Sequence, residues 1–467
     1  MNKRDILASS TFGQRIAEDE ADQLISYFVE TEQWRKVISG QVDVVYGPKG
    51  SGKSALYSLL RQKRETLREQ GIFMAAGESI RGTPVFEALV ADPPASEDQF
   101  RGLWKLYFLS LIGTVLRLAD FDNSHAELLI SSLEEAQLIP KEWSLKQSLQ
   151  AALDYVRRIE FAGELKLSQV TGQIEGLGGK VTLREPSAEA REQGYISADS
   201  LLEEADKALA GMKFWIVLDR LDVAFADSSG LEENALRALF RVYRDMAALS
   251  SISLKIFLRD DIWARITSTG FREASHITKS ITITWDSRSL LNLVIRRALH
   301  NESIRAFYGV DTATVLANAA TQEKLFYRMF PSQVDPGEKK PTTLDWILTR
   351  TMDGTGKTTP RELIHLLSAA RDQQLRLIEM GAPEPAGEEL FDRTALKAAL
   401  PEVSKARYER TLCAEQPALK SMLDKLEGEK TQQTPATLSK IWHVSEAEAL
   451  VRAEKLTDVG FFPEART

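Results

Sequence analysis

Residues 47–54 combine glycines, a lysine and a serine in a spacing that binds phosphate. Their sequence, GPKGSGKS, fits the pattern G-x-x-x-x-G-K-[ST]. Glycines let the backbone curl so that successive N–H groups point inward at an anion. Lys53 can reach the β- and γ-phosphates of a nucleotide, and the Ser54 hydroxyl can bind Mg²⁺. We therefore predict a site for ATP and Mg²⁺. The predicted contact residues are Gly47, Pro48, Lys49, Gly50, Ser51, Gly52, Lys53, Ser54 and Ala55.

The segments on either side of this loop support the same interpretation. Residues 42–46 are mostly apolar and predict a short strand, and the residues from 54 to about 68 predict a helix. The positive end of that helix dipole would add to phosphate binding. The expected arrangement is a strand, a phosphate-binding turn and a helix, with a second strand at 72–76.

Asp219 follows a second apolar run, residues 214–218. Such a run predicts a buried parallel strand with a carboxylate at its C-terminal end, the edge at which open α/β sheets bind ligands. We predict that Asp219 supports the Mg²⁺ ion. Many ATPases place a glutamate directly after this aspartate to orient water, and here the position is Arg220. Asp222 is the candidate for that role, with Asp227 as an alternative.

Two arginines are candidates for sensing the γ-phosphate. Residues 252–258 predict a third strand that ends at Arg259. Arg361 comes directly after Thr359 and Pro360, which predict a helix start with Thr359 as its cap. A surface arginine is an equal alternative for Arg361. Arg265 and Arg272 occupy positions suited to an arginine finger, but we interpret them as solvated surface residues.

Composition limits the class of protein. A chain of 467 residues with 43% hydrophobic content can bury a large core in about two or three domains. The net charge of −8 argues against non-specific coating of nucleic acid. Cys413 is the only cysteine, which excludes a disulfide framework and fits a reducing cytosol. The most apolar helical stretch, residues 103–121, contains charged residues and the N-terminus has no signal-peptide core, so we expect a cytoplasmic protein without membrane spans.

The pattern along the chain predicts an α/β fold in three parts. Residues 1–285 form the core with a parallel sheet, beginning with one helix over 14–39 and ending with a strand at 281–284. An insertion at about 85–200 holds three helices over 97–160 and a β-hairpin over 163–184. Residues 286–380 form a helical lid, and 390–467 form a winged-helix-like domain with a strand-like end at 461–463. The sequence DGTGKTT at 353–359 resembles half a phosphate loop but follows a helical pattern, so we assign it no binding.

With these motifs in place, the sequence resembles bacterial P-loop ATPases of the AAA+/STAND superfamily and is similar to the KAP-like ATPases. The resemblance rests on GPKGSGKSA, IVLDRLD, IFLRDDIW and TPRELIHLL ahead of the winged-helix-like tail, and it covers most of the chain outside about 85–200. Asp219 and Asp222 match the outer acids of the family pattern, and Arg220 replaces the middle one. The resemblance implies an AAA+/ASCE-like P-loop NTPase core and ATP-driven switching. It also implies a homo-oligomer, often in antiviral defence beside a separate effector protein.

These observations favour an ATP-binding and ATP-hydrolysing switch that controls a partner protein. Two alternatives stay open: a DNA-acting initiator or loader, and a nucleotide-gated scaffold with little turnover. The second helix of the tail carries Glu446, Glu448 and Glu454 against Arg452 and Lys455, a poor match to phosphate. Contact with protein is therefore favoured over contact with nucleic acid.

Overall fold

The computed structural model shows an α/β protein with a parallel sheet and many helices. It describes residues 2–14, 20, 24–78, 85–87, 89, 93–94, 96–140, 144–166, 180–221, 229–268 and 270–463. The chain divides into two compact units, residues 30–283 and residues 1–29 with 284–467. Among the described residues, no helix combines the length and the apolarity that a bilayer span requires.

The unit of residues 30–283 is built on a five-stranded sheet in the order β2-β5-β6-β1-β7, with every neighbouring pair parallel. A second, two-stranded sheet pairs β3 with β4. The strands are β1 Val44–Gly47, β2 Ile72–Ala76, β3 Val181–Thr182, β4 Ile196–Ser197, β5 Lys213–Leu218, β6 Ile252–Arg259 and β7 Ser280–Thr282. The strands predicted near residues 42–46, 72–76, 214–218, 252–258 and 281–284 are thus confirmed. The apolar runs of β1, β5 and β6 are typical of strands buried on both faces.

Helices cover this sheet and build the insertion. They are Glu32–Ile38, Lys53–Gln62, Arg64–Glu69, Glu97–Leu118, Ser124–Glu135, Leu145–Lys166, Ala188–Glu192, Ala198–Ala208, Ser229–Met246 and Asp260–Ser268, with 3₁₀ turns at Val85–Glu87 and Arg272–His276. The three helices predicted over 97–160 are confirmed. Ser96 begins the first of them with a capping box to Gln99, and Asn123 caps the second.

Two secondary-structure predictions in this half of the chain are wrong in part. The single helix predicted over 14–39 is interrupted between helices Leu24–Tyr27 and Glu32–Ile38, because Thr31 accepts a hydrogen bond from the Trp34 amide and starts a new helix. The hairpin predicted over 163–184 is also not formed by the residues described. Residues 163–166 continue helix Leu145–Lys166, and Val181 pairs in parallel with Ile196. Residues 167–179 lie outside the described part of the chain.

The other unit is helical in its described residues, as predicted for 286–380. Its helices are Lys3–Ser9, Leu24–Tyr27, Ser287–His300, Glu302–Tyr308, Thr312–Leu316, Ala319–Met329, Thr343–Thr351, Pro360–Glu379, Arg393–Arg407, Cys413–Glu415, Lys420–Asp424, Pro435–Trp442 and Glu446–Asp458, with a π-helical turn at Tyr408–Leu412 and a 3₁₀ turn at Pro417–Leu419. Ile6, Leu7 and Phe12 belong to its core. Arg297 forms a two-bond ion pair with Glu20, and both side chains are buried. Residues 1–29 therefore pack with this unit, whereas the sequence boundaries placed them with the sheet.

Two helices near the C-terminal end of the chain share a small core with Leu419 and Leu423. His443 adopts a left-handed conformation with φ of 54° between helices Pro435–Trp442 and Glu446–Asp458, so a turn separates them as predicted. The strand-like end predicted at 461–463 is wrong. The Phe461 and Phe462 amides instead bond to the Leu456 carbonyl at 2.8 and 3.2 Å and close the last helix.

The DGTGKTT stretch holds this C-terminal end. The Gly354 amide donates to the Gly460 carbonyl at 2.8 Å. A Cβ atom at Gly354 would lie 2.3 Å from the Phe462 carbonyl oxygen, so only glycine allows this close approach. The loop follows helix Thr343–Thr351, as the sequence indicated, and its glycine serves a contact between two parts of the backbone.

Candidate functional site

The loop of residues 47–54 lies where the strand order of the sheet reverses. From β1 the chain runs to β2 on one side of the sheet, and from β6 it runs past β1 to β7 on the other side. Right-handed crossovers in opposite directions place their helices on opposite faces. The connections that leave the carboxyl ends of β1 and β6 therefore run in opposite directions, and this is the position at which open α/β sheets bind ligands.

Aromatic contacts confirm that the helix after β1, Lys53–Gln62, and the helix after β6, Asp260–Ser268, cover opposite faces of the sheet. Tyr46 and Phe257 point to opposite faces, because Phe257 pairs with Val45, the neighbour of Tyr46 in β1. Tyr57 of the helix after β1 contacts Phe257, with ring centroids 6.2 Å apart. Trp263 of the helix after β6 contacts Tyr46, with centroids 5.1 Å apart. The packing therefore agrees with the strand order: the two connections leave the sheet on opposite faces.

Glycine is required at three positions of the loop for two different reasons. Gly50 and Gly52 have φ of 81° and 102°, in the left-handed region that glycine favours. Gly47 is in the strand and has no such φ, but a Cβ atom there would lie 2.6 Å from the Oγ of Ser51, which is buried. Gly52 is the N-cap of helix Lys53–Gln62 and has no side chain to occupy the helix N-terminus. The first N–H groups of this helix are the donors that an anion can use.

Lys53 and Ser54 begin the helix that follows the loop. The Lys53 ammonium donates to the Gly47 and Pro48 carbonyls at 2.7 and 3.0 Å, so the side chain folds back over the loop. Ser54 is partly exposed in the first turn of the helix. The other predicted contact residues that are partly exposed are Pro48, Lys49, Gly50, Gly52, Lys53 and Ala55. A cation at the mouth of a glycine loop and at a helix N-terminus can pair with phosphate.

We expect Gly47→Ala to weaken ATP binding by about tenfold, since overpacking of about 1–3 kcal/mol must displace Ser51 and with it the loop. Isothermal titration with ATP measures the change. Gly230→Ala is the matched control, because a Cβ atom at Gly230 meets nothing within 4 Å. Equal affinity of the two variants would show that the close approach at Gly47 does not shape the site.

Asp219 follows β5 at the same edge of the sheet and is only 3% exposed. Leu218 pairs with Ile256, so Asp219 is one register step beyond, level with Phe257. Arg220 has φ of 58°, an uncommon conformation for a residue with a side chain, and such strained residues cluster at functional sites. Asp222 and Asp227, the predicted candidates for orienting water, lie outside the described residues.

Arg259 also reaches this edge. It ends β6 and pairs in register with Gly47. Its guanidinium binds both carboxylate oxygens of Asp261, at 2.9 and 2.7 Å, so this acid positions the arginine near the loop. Arg265 pairs with the buried Glu232, and Arg272 is exposed.

Arg361 belongs to the other unit. It is the second residue of helix Pro360–Glu379 and is partly exposed. The proline at the start of this helix is as predicted, but Thr359 makes no side-chain capping bond. The structure thus brings the glycine loop, Asp219 and Arg259 to one edge of the sheet, whereas Arg361 stays a prediction from the sequence.

Two groups of polar residues were missed by the sequence analysis. Glu78 is fully buried directly beyond β2, and an apolar strand followed by an acid, the signal used for Asp219, was present there too. At the other end of the sheet, Lys255 bonds to Asp43 at 2.7 Å, with both side chains buried. Burial lowers the pKa of Lys255, and the charge of Asp43 opposes that shift. No local pattern marks this pair, since a lysine within an apolar strand reads as an exposed position.

The donor set fits a cation that arrives with a nucleotide. Within the described part of the chain, no group of three His, Cys, Asp or Glu side chains could hold a metal ion. Mg²⁺ keeps several waters and is commonly bound by one or two side chains together with substrate phosphates. Ser54 and Asp219 are residues of the required types at the required edge.

Comparison with known proteins gives no relative that could assign the site. No protein family, no curated protein and no solved structure matches the chain.

Proposed function

We propose that the chain is a P-loop ATPase that binds ATP with Mg²⁺ at the ends of β1, β5 and β6. The observation that carries this proposal is the coincidence of two independent features. The loop GPKGSGKS has the residue types that bind phosphate, and it lies at the reversal of strand order between β1 and β6. A glycine-rich turn without a binding role would lie at that position only by chance.

Each residue then has a chemical role. Backbone N–H groups of the loop and the helix N-terminus bind the phosphates, and Lys53 neutralises charge on the β- and γ-phosphates. Ser54 and Asp219 hold Mg²⁺, which when bound polarises the phosphate oxygens. Arg259 lies at the strand next to the loop and can sense the γ-phosphate when it exchanges Asp261 for that anion. Arg361 is the candidate for the second sensor.

The output of the ATPase is proposed to be control of a partner protein by a homo-oligomer. Helix Glu446–Asp458 exposes Leu450 and Val451 by 48% and 51%, beside the acidic first-turn residues Glu446 and Glu448. Helices that read DNA present their N-terminal residues to the groove, and acids there repel phosphate. A face that combines exposed apolar side chains with acidic ones is better suited to bind another protein than to bind DNA.

Calorimetric titration with ATP, with and without Mg²⁺, and a phosphate-release assay test the proposal. We expect binding that Mg²⁺ strengthens, followed by release of phosphate. Asp219→Asn should keep binding in the absence of Mg²⁺ and lose most of the gain that Mg²⁺ provides. Absence of ATP binding by the wild-type chain would overturn the proposal, and binding without phosphate release would favour a nucleotide-gated scaffold.

A further inference from the structure

The strand β2 lies at one edge of the five-stranded sheet and pairs with β5 on one side. The Lys213 amide donates to the Gly71 carbonyl at 2.8 Å, so odd-numbered residues of this stretch face β5. Ile72 and Met74 therefore turn their N–H and C=O groups away from β5. Among the described residues, no hydrogen bond joins these outward groups to a partner. Such an edge can pair with a further strand.

A cavity of about 60 Å³ lies along this edge. It is lined by Arg64 and Arg68, by residues 72–74 of β2 and by the end of helix Glu97–Leu118. One water needs about 10–15 Å³ of such space, so the cavity holds a group of about four or five heavy atoms. That is the size of one acidic side chain and far less than a nucleotide needs.

The two arginines give the cavity a positive charge. Arg64 and Arg68 are one turn apart on helix Arg64–Glu69, both are exposed, and neither forms an ion pair with a described residue. The Arg68 guanidinium lies 5.7 Å from the centroid of the Phe73 ring, which places a cation at the strand edge itself. The two glutamates of the same helix do not line the cavity. The cavity therefore fits an anionic group.

The side of the cavity opposite the arginines is apolar. Leu118 is 67% exposed, and the half-buried Phe73 packs against Phe121 with ring centroids 5.1 Å apart. Helices Arg64–Glu69 and Glu97–Leu118 both contact β2. Phe73 packs against the core that holds the second of these helices, whereas the buried Leu67 of the first lies outside that core. The two helices therefore contact β2 from opposite faces of the sheet.

We propose that the β2 edge binds an extended segment of a partner protein in which acidic and apolar residues alternate. Backbone N–H and C=O groups of the segment pair with those of Ile72 and Met74, as an added strand extends a sheet. Alternate side chains of an extended chain point to opposite faces. One set meets Arg64 and Arg68 and places a carboxylate in the cavity, and the other set lies on Leu118.

The charges of this edge favour an acidic partner over a second copy of the chain. Two β2 edges side by side would bring four guanidinium groups together, and like charges across paired strands are destabilising. The β2 edge belongs to the sheet unit, whereas helix Glu446–Asp458 belongs to the other unit, so the two are separate surfaces. Binding at the β2 edge does not require ATP, and each site can be tested without the other.

The probe is a capped, fluorescein-labelled hexapeptide of alternating glutamate and valine, titrated with the full chain and followed by fluorescence anisotropy. We expect saturable binding, and at least about tenfold weaker binding by the double variant Arg64→Ala with Arg68→Ala, since the carboxylates then lose their charge-assisted hydrogen bonds. Leu118→Glu should also weaken binding, because it sets an acid against an acidic segment. Arg244→Ala is the matched control. Arg244 is an exposed arginine of the sheet unit that does not line the cavity, so its loss should leave the affinity within about twofold of wild type.

A second hexapeptide, with its glutamates in one block and its valines in another, has the same composition and charge but does not alternate. We expect it to bind at least about tenfold more weakly. Hydrogen–deuterium exchange of residues 71–77 should slow when the alternating peptide binds, because the Ile72 and Met74 amides gain acceptors. Equal binding of the two peptides, unchanged affinity in the double arginine variant, or no binding by the wild-type chain would overturn the proposal. Slower exchange at higher chain concentration without peptide would give the edge to a second copy and overturn it as well.

Discussion

Lys53→Ala should lower the affinity for ATP at least about 100-fold. The Lys53 ammonium can make charge-assisted hydrogen bonds to the β- and γ-phosphates, each worth about 1.5–3 kcal/mol, and every 1.4 kcal/mol is about a tenfold change in affinity. The ammonium bonds to the Gly47 and Pro48 carbonyls, which are neutral acceptors, and phosphate oxygens are charged and therefore stronger ones. Isothermal titration calorimetry measures the loss directly.

Lys49→Ala is the control for charge alone. Lys49 is in the same loop, carries the same charge and is one of the predicted contact residues, but the phosphate-loop pattern assigns the ammonium contact to Lys53 and leaves the residue type at position 49 open. We expect its affinity for ATP to stay within about threefold of wild type, since exposed charges contribute about 1 kcal/mol or less. Lys53→Arg should bind ATP less tightly than wild type, because a planar guanidinium does not reproduce the geometry of an ammonium. Unchanged ATP affinity in Lys53→Ala would remove the nucleotide from this loop.

The parts of the site that sequence alone predicted are those that depend on local patterns. The strands before Gly47, Asp219 and Arg259 are short apolar runs followed by polar residues, a signal contained within about ten residues. Parallel pairing then brings the ends of these strands to one edge whatever their order. Glycines at positions 50 and 52 are likewise explained by their own backbone conformation.

The parts that sequence did not predict depend on pairing between distant residues. Glu78 lies beside Asp219, a residue 141 positions later in the chain, and only the register of β2 and β5 brings the two together. Residues 1–29 come before the sheet unit in the sequence but belong to the helical unit, in which Phe12 is buried against Phe391. The hairpin expected at 163–184 failed because the helix pattern before it continues to Lys166. Alternation of apolar and polar side chains over a few residues predicts a strand only weakly when a long helical pattern directly precedes it.

The second large effect concerns stability. Lys255→Met should lower the free energy of unfolding of the sheet unit by about 3–5 kcal/mol, because it removes the buried cation that pairs with the buried Asp43 carboxylate. Asp43 is directly before β1 and level with Lys255 in the register of β1 and β6. The ammonium also donates to the Val42 carbonyl at 2.7 Å and lies 4.7 Å from the Trp215 ring centroid. Urea unfolding followed by tryptophan fluorescence measures the loss.

Lys279→Met is the control for burial, because it removes an exposed cation close to the same Asp43 carboxylate. The Lys279 ammonium lies 3.9 Å from the same Asp43 carboxylate, but its side chain is 64% exposed, so its removal should cost less than about 1 kcal/mol. The double variant Asp43→Asn with Lys255→Met should recover part of the stability lost in Lys255→Met, since the uncompensated charge is then gone. If Lys255→Met and Lys279→Met cost the same, burial does not decide the strength of this pair.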